Sequence, residues 1–350
     1  MALKSGSLLR QSTFRLADNS RASILIIALW SICLLATFSV VLGYQVRQKL
    51  TLVNRLDEKD RLYFTAEAAI KRAAVELKKE PEKACDALKD TWSNNISAFK
   101  EIDIGDGKFS ILYAYIDEQS GIQKTQYGLI DEERKININK ANRPVLERFF
   151  RIVLDFDEIN AQELAASVID WRDSDSQLSI PLGSAEDPDY RSLQYPYEAK
   201  DAEFEVLDEV LLVKGMTQDI FEKIKDYITI YGSGKVNINT ASKPVLLALG
   251  LDDDIADKIL SFRAGEDGII ATSDDNIFDT ASNIIPKLSQ SCHLSDSEVA
   301  KLSVVADQYL ITNSNNFMVK VVAKLNNRKN TAELICVVNR SGKVLYWQEF

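Results

Sequence analysis

The feature that most constrains this chain is an uninterrupted apolar run near its start. Residues 22–43 (ASILIIALWSICLLATFSVVLG) contain no charged side chain, and they continue without a turn signal into a charged stretch of helical periodicity that reaches about Glu80. Because a helix rises about 1.5 Å per residue, a run of this length crosses the roughly 30 Å hydrocarbon core of a bilayer. The sequence therefore predicts a transmembrane segment over 22–43, continued as a helix over 44–80.

The charges before this run predict its orientation. Basic residues outnumber acids there: the basic residues are Lys4, Arg10, Arg15 and Arg21, and the acid is Asp18. Positive charge favours the cytoplasmic side, so we expect residues 1–21 to form a cytoplasmic leader and the rest of the chain to be exported. A cleaved secretory signal is the alternative, although its apolar region is usually shorter and Val41-Leu42-Gly43 is a poor cleavage site.

Composition restricts the partners of the exported part. The net charge is -10 and the isoelectric point is about 4.9, which argues against nucleic acid as a partner, because that affinity comes mainly from clustered Lys and Arg. Cys33 lies in the apolar run, which leaves Cys85, Cys292 and Cys336 in an oxidising compartment. Three thiols allow one disulfide there, but their spacing does not identify a pair.

In the exported part, the sequence predicts strands on either side of a central helical region. The helix stops at Pro81, and strands are predicted at 109–116 and 126–130, joined by a turn at 118–121, then at 317–325, 332–338 and 343–350. Helical periodicity runs from about Asn142 to Leu302.

This order predicts an α+β fold in which one antiparallel sheet packs on the long helix. We assign residues 81–135 and 311–350 to the strands, and residues 136–310, called the helical block below, to a domain inserted between them. Three C-terminal strands alone would be only marginally stable, so pairing with the earlier strands is favoured. Two consecutive domains are the alternative.

The helical block contains an internal repeat. The segment KININKANRPVL at 135–146 recurs as KVNINTASKPVL at 235–246, and each copy precedes two short helices. The units resemble the helix-hairpin-helix element of DNA-binding proteins. That element uses a Gly-x-Gly turn to approach a phosphate, whereas here the second hairpin reads Gly250-Leu251-Asp252-Asp253-Asp254. Carboxylates at that place would repel a phosphate, so we expect the repeats to serve packing rather than DNA binding.

Two acidic loops are candidate metal sites. The first spans DWRDSDS at 170–176 and GSAEDPDY at 183–190, and its hard oxygen ligands suit Ca²⁺. The predicted ligands are Asp173, Asp175, Glu186 and Asp187. A solvated acidic loop is the alternative reading.

The second loop, GEDGIIATSDD at 265–275, offers Asp267, Asp274 and Asp275. Its spacing differs from that of an EF-hand. Neither loop predicts catalysis, because no aromatic-lined cleft accompanies the acids. The single histidine, His293, reads as a surface residue before a helix that starts near Ser297. We therefore expect a protein that is not an enzyme.

Three segments together resemble the minor pseudopilin K family of type II secretion systems. They are the apolar run with its helical continuation, the stretch from DWRDSDS through GSAEDPDY to FEVLDEVLLVKGM, and VNINTASKPVL. The resemblance implies a pilin-like fold with a large inserted helical domain, and Ca²⁺ in the acidic loop. It also implies a single-pass inner-membrane protein with a cytoplasmic amino terminus, a periplasmic domain and a place at the pseudopilus tip beside minor pseudopilins I and J.

Processing by a prepilin peptidase is implied as well, and here the sequence departs from the family. Members are cut after a glycine, whereas Ser20-Arg21 precedes Ala22. Cleavage between Arg21 and Ala22 would make Ile26 the fifth mature residue, where most pilin-like subunits carry glutamate. The absence of that glutamate is typical of the K subunit, and a carboxylate without a partner would be costly in lipid.

These observations favour a non-enzymatic assembly protein that caps the tip of a pseudopilus and helps to initiate its assembly for the export of folded periplasmic proteins. The first alternative is a membrane-tethered DNA receptor or minor pilin of a competence or type IV pilus system, suggested by the repeats. A tethered hydrolase that uses paired carboxylates is the second.

Overall fold

The computed structural model describes residues 20–79, 85–116, 123–326, 328 and 330–350. The leader before Ser20, the Pro81 stop and the 118–121 turn lie outside these residues. The helices are α1 (Ser20–Lys79), α2 (Ile96–Phe99), α3 (Arg143–Leu154), α4 (Glu158–Arg172), α5 (Asp187–Arg191), α6 (Gln218–Ile224), α7 (Lys243–Ala248), α8 (Asp253–Arg263), α9 (Ile284–Ser291) and α10 (Asp296–Tyr309). Short 3₁₀ turns occupy Glu132–Arg134, Leu207–Leu212 and Ala281–Asn283.

The strands are more numerous than predicted. They are β1 (Ile102–Ile104), β2 (Gly107–Ile111), β3 (Tyr113–Ile116), β4 (Gln123–Gln126), β5 (Ile130–Asp131), β6 (Ile136–Asn137), β7 (Ile228–Thr229), β8 (Val236–Asn237), β9 (Leu310–Ile311), β10 (Asn316–Leu325), β11 (Thr331–Asn339) and β12 (Val344–Glu349). The mixed helix and sheet composition and the long apolar amino-terminal helix are confirmed.

The described chain divides into two units, with the boundary in sequence between Asp60 and Arg61. In the first unit, α1 is long and apolar enough to cross a membrane, and its apolar side chains are exposed, with Trp30 73 % and Leu34 68 % accessible. Exposed apolar surface of this extent is stable only in lipid or against other apolar surfaces.

In the second unit, the end of α1 packs on an antiparallel sheet. The strand order is β1-β2-β10-β11-β12, and β5 also pairs with β10. Alternate residues of β10, such as Val319 and Val321, are buried against α1, whose small residues Ala66, Ala69 and Ala73 allow the close approach. Strands from both sides of the helical block therefore lie in one sheet, with β10 at its centre.

Two predicted strands were wrong in extent. The 109–116 strand divides at Leu112, since β2 pairs with β10 whereas β3 pairs with β4 in a separate two-stranded sheet. The 126–130 strand is interrupted because the Tyr127 carbonyl accepts the Asn95 N–H and the Leu129 N–H donates to the Trp92 carbonyl. This segment packs closely against the backbone of Trp92 and Ser93, because a Cβ on Gly128 would approach the Ser93 carbonyl oxygen to 1.9 Å.

The helical block has its own apolar core, which includes the fully buried Phe149, Phe150 and Phe278. The start of each sequence repeat forms a short parallel strand pair, β6 with β7 in the first repeat and β8 with β9 in the second. Within the described residues, which include all four cysteines, no disulfide joins Cys85, Cys292 or Cys336.

Candidate metal centre

The two sequence repeats fold alike, and this common scaffold positions the acidic loops. In each repeat the first Asn of the NIN segment accepts the backbone N–H of the second, so Asn137 binds Asn139 and Asn237 binds Asn239. The second Asn then bonds a phenylalanine backbone far along the chain. Asn139 holds both the N–H and the carbonyl of Phe204, and Asn239 holds those of Phe278.

An arginine closes each repeat in the same way. Arg172, the last residue of α4, donates to the carbonyls of Ile138 and Ala141, and Arg263, the last residue of α8, donates to the carbonyl of Ala241. Each acidic loop therefore begins just after this arginine and ends at the bridged phenylalanine. The first runs from Asp173 to Phe204 and the second from Ala264 to Phe278.

The first loop brings three predicted ligands together. Asp173 follows the end of α4, Glu186 precedes α5, and one carboxylate oxygen from each of Asp173, Asp175 and Glu186 lies within 4.8 Å of the others. Glu186 is only 3 % exposed. Asp173 Oδ1 and Glu186 Oε1 are buried and have no hydrogen-bond partner. Buried carboxylate oxygens without donors are costly, so this group fits a bound cation.

The electrostatics agree with this geometry. Burial, reinforced by Asp170, Asp173 and other nearby carboxylates, raises the pKa of Glu186 to about 7. Burial also raises the pKa of Asp173, and the neighbouring charges of Asp175 and Asp170 add to the effect. A concentration of negative charge that disfavours its own ionisation is relieved by a divalent ion.

The surrounding residues fix the shape of the first loop. Asp170 is fully buried and accepts the Ser179 N–H, while Lys214 Nζ donates to the Ser184 carbonyl at 2.9 Å. Trp171 and Tyr190, which lie near the two ends of the acidic segment in sequence, pack edge to face with ring centroids 5.2 Å apart. The sequence placed Asp170 in this acidic segment but not among the predicted ligands, and its contribution to the charge follows from its place three residues before Asp173 on the last turn of α4.

Asp187, the fourth predicted ligand, does not join this group in the structure. Its Oδ2 accepts from Arg191 at 2.8 Å and its Oδ1 accepts the Ala199 N–H at 3.0 Å. Both oxygens therefore serve to hold the α5 turn. Carboxylate oxygens engaged in this way are poor candidates for metal ligation.

The second loop does not form such a group. Asp274 accepts the N–H groups of Glu266 and Asp267 and the Thr272 hydroxyl, which lowers its pKa to about 2. Asp275 accepts the N–H groups of Ala271 and Thr272, and Asp267 accepts that of Ile269. Among the described residues, no set of ligand atoms meets here as it does in the first loop. The loop satisfies its carboxylates with its own backbone.

The hairpin turns carry acidic side chains. Gly250 takes a left-handed conformation, with φ at +105°, in the turn between α7 and α8. Lys243 pairs with Asp253 and Asp257, and Lys301 pairs with Asp252. His293 is exposed in the loop before α10, whose N-cap is Ser295. The lysines nearest this turn are thus already engaged with carboxylates.

The fold resembles that of a secretion-system subunit. One chain of the crystal structure of the GspK-GspI-GspJ complex from the enterotoxigenic Escherichia coli type 2 secretion system matches with a TM-score of 0.61 and 16 % identity. The match covers 86 % of this chain and 99 % of that chain. This likeness defines the class of fold, an α+β architecture similar to that of a chain in that complex.

Sequence comparison gives matches to one family. The family described as "Type II secretion system (T2SS), protein K" matches residues 121–233, which include the first acidic loop. Type II secretion system protein K of Aeromonas hydrophila is 27 % identical over 57 % of this chain and 62 % of its own length, and that of Pseudomonas aeruginosa is 26 % identical over 65 % and 68 %. Over residues 121–233 the chain is therefore similar to the type II secretion system protein K family.

Proposed function

We propose that this protein is a non-enzymatic minor pseudopilin that caps the tip of the type II secretion pseudopilus and helps to initiate its assembly. The observation that carries the proposal is the combination of the family match over 121–233 with a fold similar to a subunit of the GspK-GspI-GspJ complex. On this proposal the protein spans the inner membrane once, with a cytoplasmic amino terminus and a periplasmic domain.

The apolar helix supports an assembly role. Its exposed side chains would lie in lipid before assembly and would pack against helices of neighbouring subunits afterwards. The inserted helical block, whose repeats resemble helix-hairpin-helix units used for packing, adds bulk that would leave no room for a further subunit above it. The proposed partners are therefore the I and J minor pseudopilins.

We also propose that Asp173, Asp175 and Glu186 hold a structural Ca²⁺ ion. Three carboxylates supply hard oxygens, and backbone carbonyls or waters would complete a coordination shell of six to eight oxygens. The ion would neutralise the acidic group and fix the first loop. The proposal rests on the two buried oxygens that have no donor.

The assembly role is tested by co-purification. The full chain is co-expressed with the I- and J-type pseudopilins of the same genome and purified in detergent. The mass of the purified complex is then measured. We expect a complex that contains all three proteins and, in cells lacking this chain, restored secretion when it is supplied. A folded chain that purifies alone in the presence of both partners would contradict the proposal.

Cleavage by prepilin peptidase between Arg21 and Ala22 is a further proposal. The intact mass of protein purified from a host with and without the peptidase tests it, since cleavage there removes 21 residues. An unchanged mass would mean that the leader is retained.

A further inference from the structure

A buried polar junction separates the two apolar cores of the second unit. One core lies between α1 and the sheet, and the other lies within the helical block. Between them is a set of buried polar residues contributed by several parts of the chain. They are Asp86, Asp131, Glu133, Asn237, Thr240, Ser314 and Asn316, together with the half-buried Arg340. These residues are called the junction below.

The junction lies where the chain enters and leaves the helical block. At the entry, Asp131 ends β5 and Glu133 lies in the 3₁₀ turn that follows. At the exit, Ser314 lies between β9 and β10, and Asn316 begins β10. Glu133 binds the exit segment through both oxygens, since Oε2 accepts the Asn316 N–H and Oε1 accepts Asn316 Nδ2 at 2.8 Å. The entry and exit segments are thus fastened to each other by a carboxylate.

Asp131 connects the sheet to the second repeat. Its Oδ2 accepts from Asn237 Nδ2 at 3.1 Å, from the Thr240 hydroxyl at 2.6 Å and from the Ser314 hydroxyl at 2.7 Å. Asp86 adds a third chain segment, because it accepts the Ser314 N–H at 2.6 Å and an Arg340 N–H. Asp86, Asp131 and Glu133 are 2 %, 1 % and 4 % exposed.

Among the residues that the structure describes, the three carboxylates are faced by two cations. Arg340 pairs with Asp86, and Arg134 acts on Asp131 from the 3₁₀ turn. The other ionisable groups nearby are engaged: Glu132 with Lys135 at 2.5 Å, Lys89 with the Asp275 carbonyl, Asp90 with the Ala87 N–H, and Tyr113 with Gln126. With all three carboxylates ionised, the junction would hold a buried excess of negative charge.

The proton affinities of the carboxylates reflect this excess. Burial raises the pKa of Asp86 to about 6, against the opposing charge of Arg340. Burial, followed by the charge of Asp131, raises the pKa of Glu133 to about 8, and burial raises that of Asp131. At neutral pH the group therefore retains a proton that the unfolded chain would have lost.

We propose that the junction is a proton-dependent joint between the helical block and the sheet, closed while Asp86, Asp131 and Glu133 share a proton and loosened when that proton leaves in mildly alkaline solution. A shared proton lowers the negative charge of the junction, whereas fully ionised carboxylates repel one another across the entry and exit segments. The joint is independent of the proposed role in secretion.

The sign of the effect follows from linkage. A carboxyl whose pKa is raised on folding stabilises the folded state fully below its unfolded pKa, and this stabilisation is lost as the pH rises through the folded value. For Glu133 the window is from about pH 4.5 to about pH 8. Because opening of the joint releases one proton, the equilibrium constant for opening should rise by up to about tenfold per pH unit within the window.

Hydrogen exchange of the full chain in detergent tests the joint. Amide protection of peptides covering 131–137 and 310–317 is measured from pH 5.5 to 9 and corrected for the intrinsic exchange rate. We expect protection in these peptides to fall by about tenfold or more between pH 6 and 8, while peptides within β11 stay unchanged. Protection that is independent of pH in the wild type would overturn the proposal.

Two variants sharpen the test. Glu133→Gln keeps hydrogen-bonding atoms but cannot ionise, so the loss of protection between pH 6 and 8 should largely vanish. The matched control Glu222→Gln removes an exposed carboxylate that pairs with Lys225, and it should retain the wild-type profile. If Glu133→Gln folds and keeps the wild-type profile, the joint is refuted. If that variant does not fold, the wild-type profile alone decides.

Discussion

The two acidic loops occupy equivalent places in the two repeats and satisfy their carboxylates in opposite ways. The first loop leaves Asp173 Oδ1 and Glu186 Oε1 buried without donors, and the pKa of Glu186 is raised to about 7. The second loop turns its own N–H groups onto Asp274, whose pKa is lowered to about 2. Acidic composition alone therefore does not define a metal site, because the available donors decide what the carboxylates need.

The largest effect should come from the scaffold that the repeats share. Asn139→Ala and Asn239→Ala each leave a buried N–H and a buried carbonyl of a phenylalanine without partners, so each should lower the free energy of unfolding by about 3 kcal/mol. Urea denaturation measures both. The exposed Asn160→Ala is the control, with an expected loss of about 0.5 kcal/mol or less. Very unequal losses would mean that the repeats are not equivalent.

Calcium should separate the two loops. At a concentration one hundred times the dissociation constant, Ca²⁺ should stabilise the folded chain by about 2.7 kcal/mol, which corresponds to a rise of about 5–10 °C in melting temperature. Glu186→Gln together with Asp173→Asn should abolish the rise, and chelation should reverse it. Asp274→Asn in the second loop is the matched control and should keep the full response.

Absence of any calcium response in the wild type would show that the first loop is not a cation site. A response lost equally in Asp274→Asn would assign the ion to the second loop instead. Either result would reverse the contrast between the loops.

A smaller effect is expected from the second loop itself. Asp275→Ala removes the acceptor of the Ala271 and Thr272 N–H groups and should cost about 2 kcal/mol, with or without calcium. Asp267→Ala removes one exposed contact and should cost about 0.5 kcal/mol. Denaturation with and without chelator measures both. Rescue of Asp275→Ala by calcium would be inconsistent with a loop closed by its own backbone.

The smallest effect is a pH dependence of opposite sign in the two loops, measured with a chelator present. The raised pKa of Glu186 gives stability that is full below about pH 4.5 and lost as the pH rises through about 7. The lowered pKa of Asp274 gives stability that is present above about pH 3.8 and lost as the pH falls towards about 2. Glu186→Gln and Asp274→Asn should each flatten their own window in melting-temperature profiles, and a window unaffected by its own variant would contradict the assignment.

Long or strongly patterned elements were predictable. The apolar run gave the start of α1, and alternation placed β10, β11 and β12 within a residue of their observed bounds. The break at Leu112 was not predictable, because two neighbouring β-rich runs pair with different partners, and single-sequence alternation does not identify a partner.

The candidate site was predictable in composition more than in geometry. Asp173, Asp175 and Glu186 were chosen as oxygen-rich loop residues, and the structure brings them together. Asp187 had the same composition signal but is held by Arg191 and the Ala199 N–H. The bridge from Asn139 to Phe204 spans 65 positions, and contacts of that range depend on the tertiary fold rather than on local sequence.

The pairing of β5 with β10 places the two boundaries of the helical block side by side, since Asp131 and Phe317 are partners in the register of the sheet. A chain that leaves and returns at neighbouring points needs a connection of only about two to five residues in place of the whole excursion. A smaller protein made of the sheet and its helix could thus exist without the helical block. A different domain could be inserted at the same two residues.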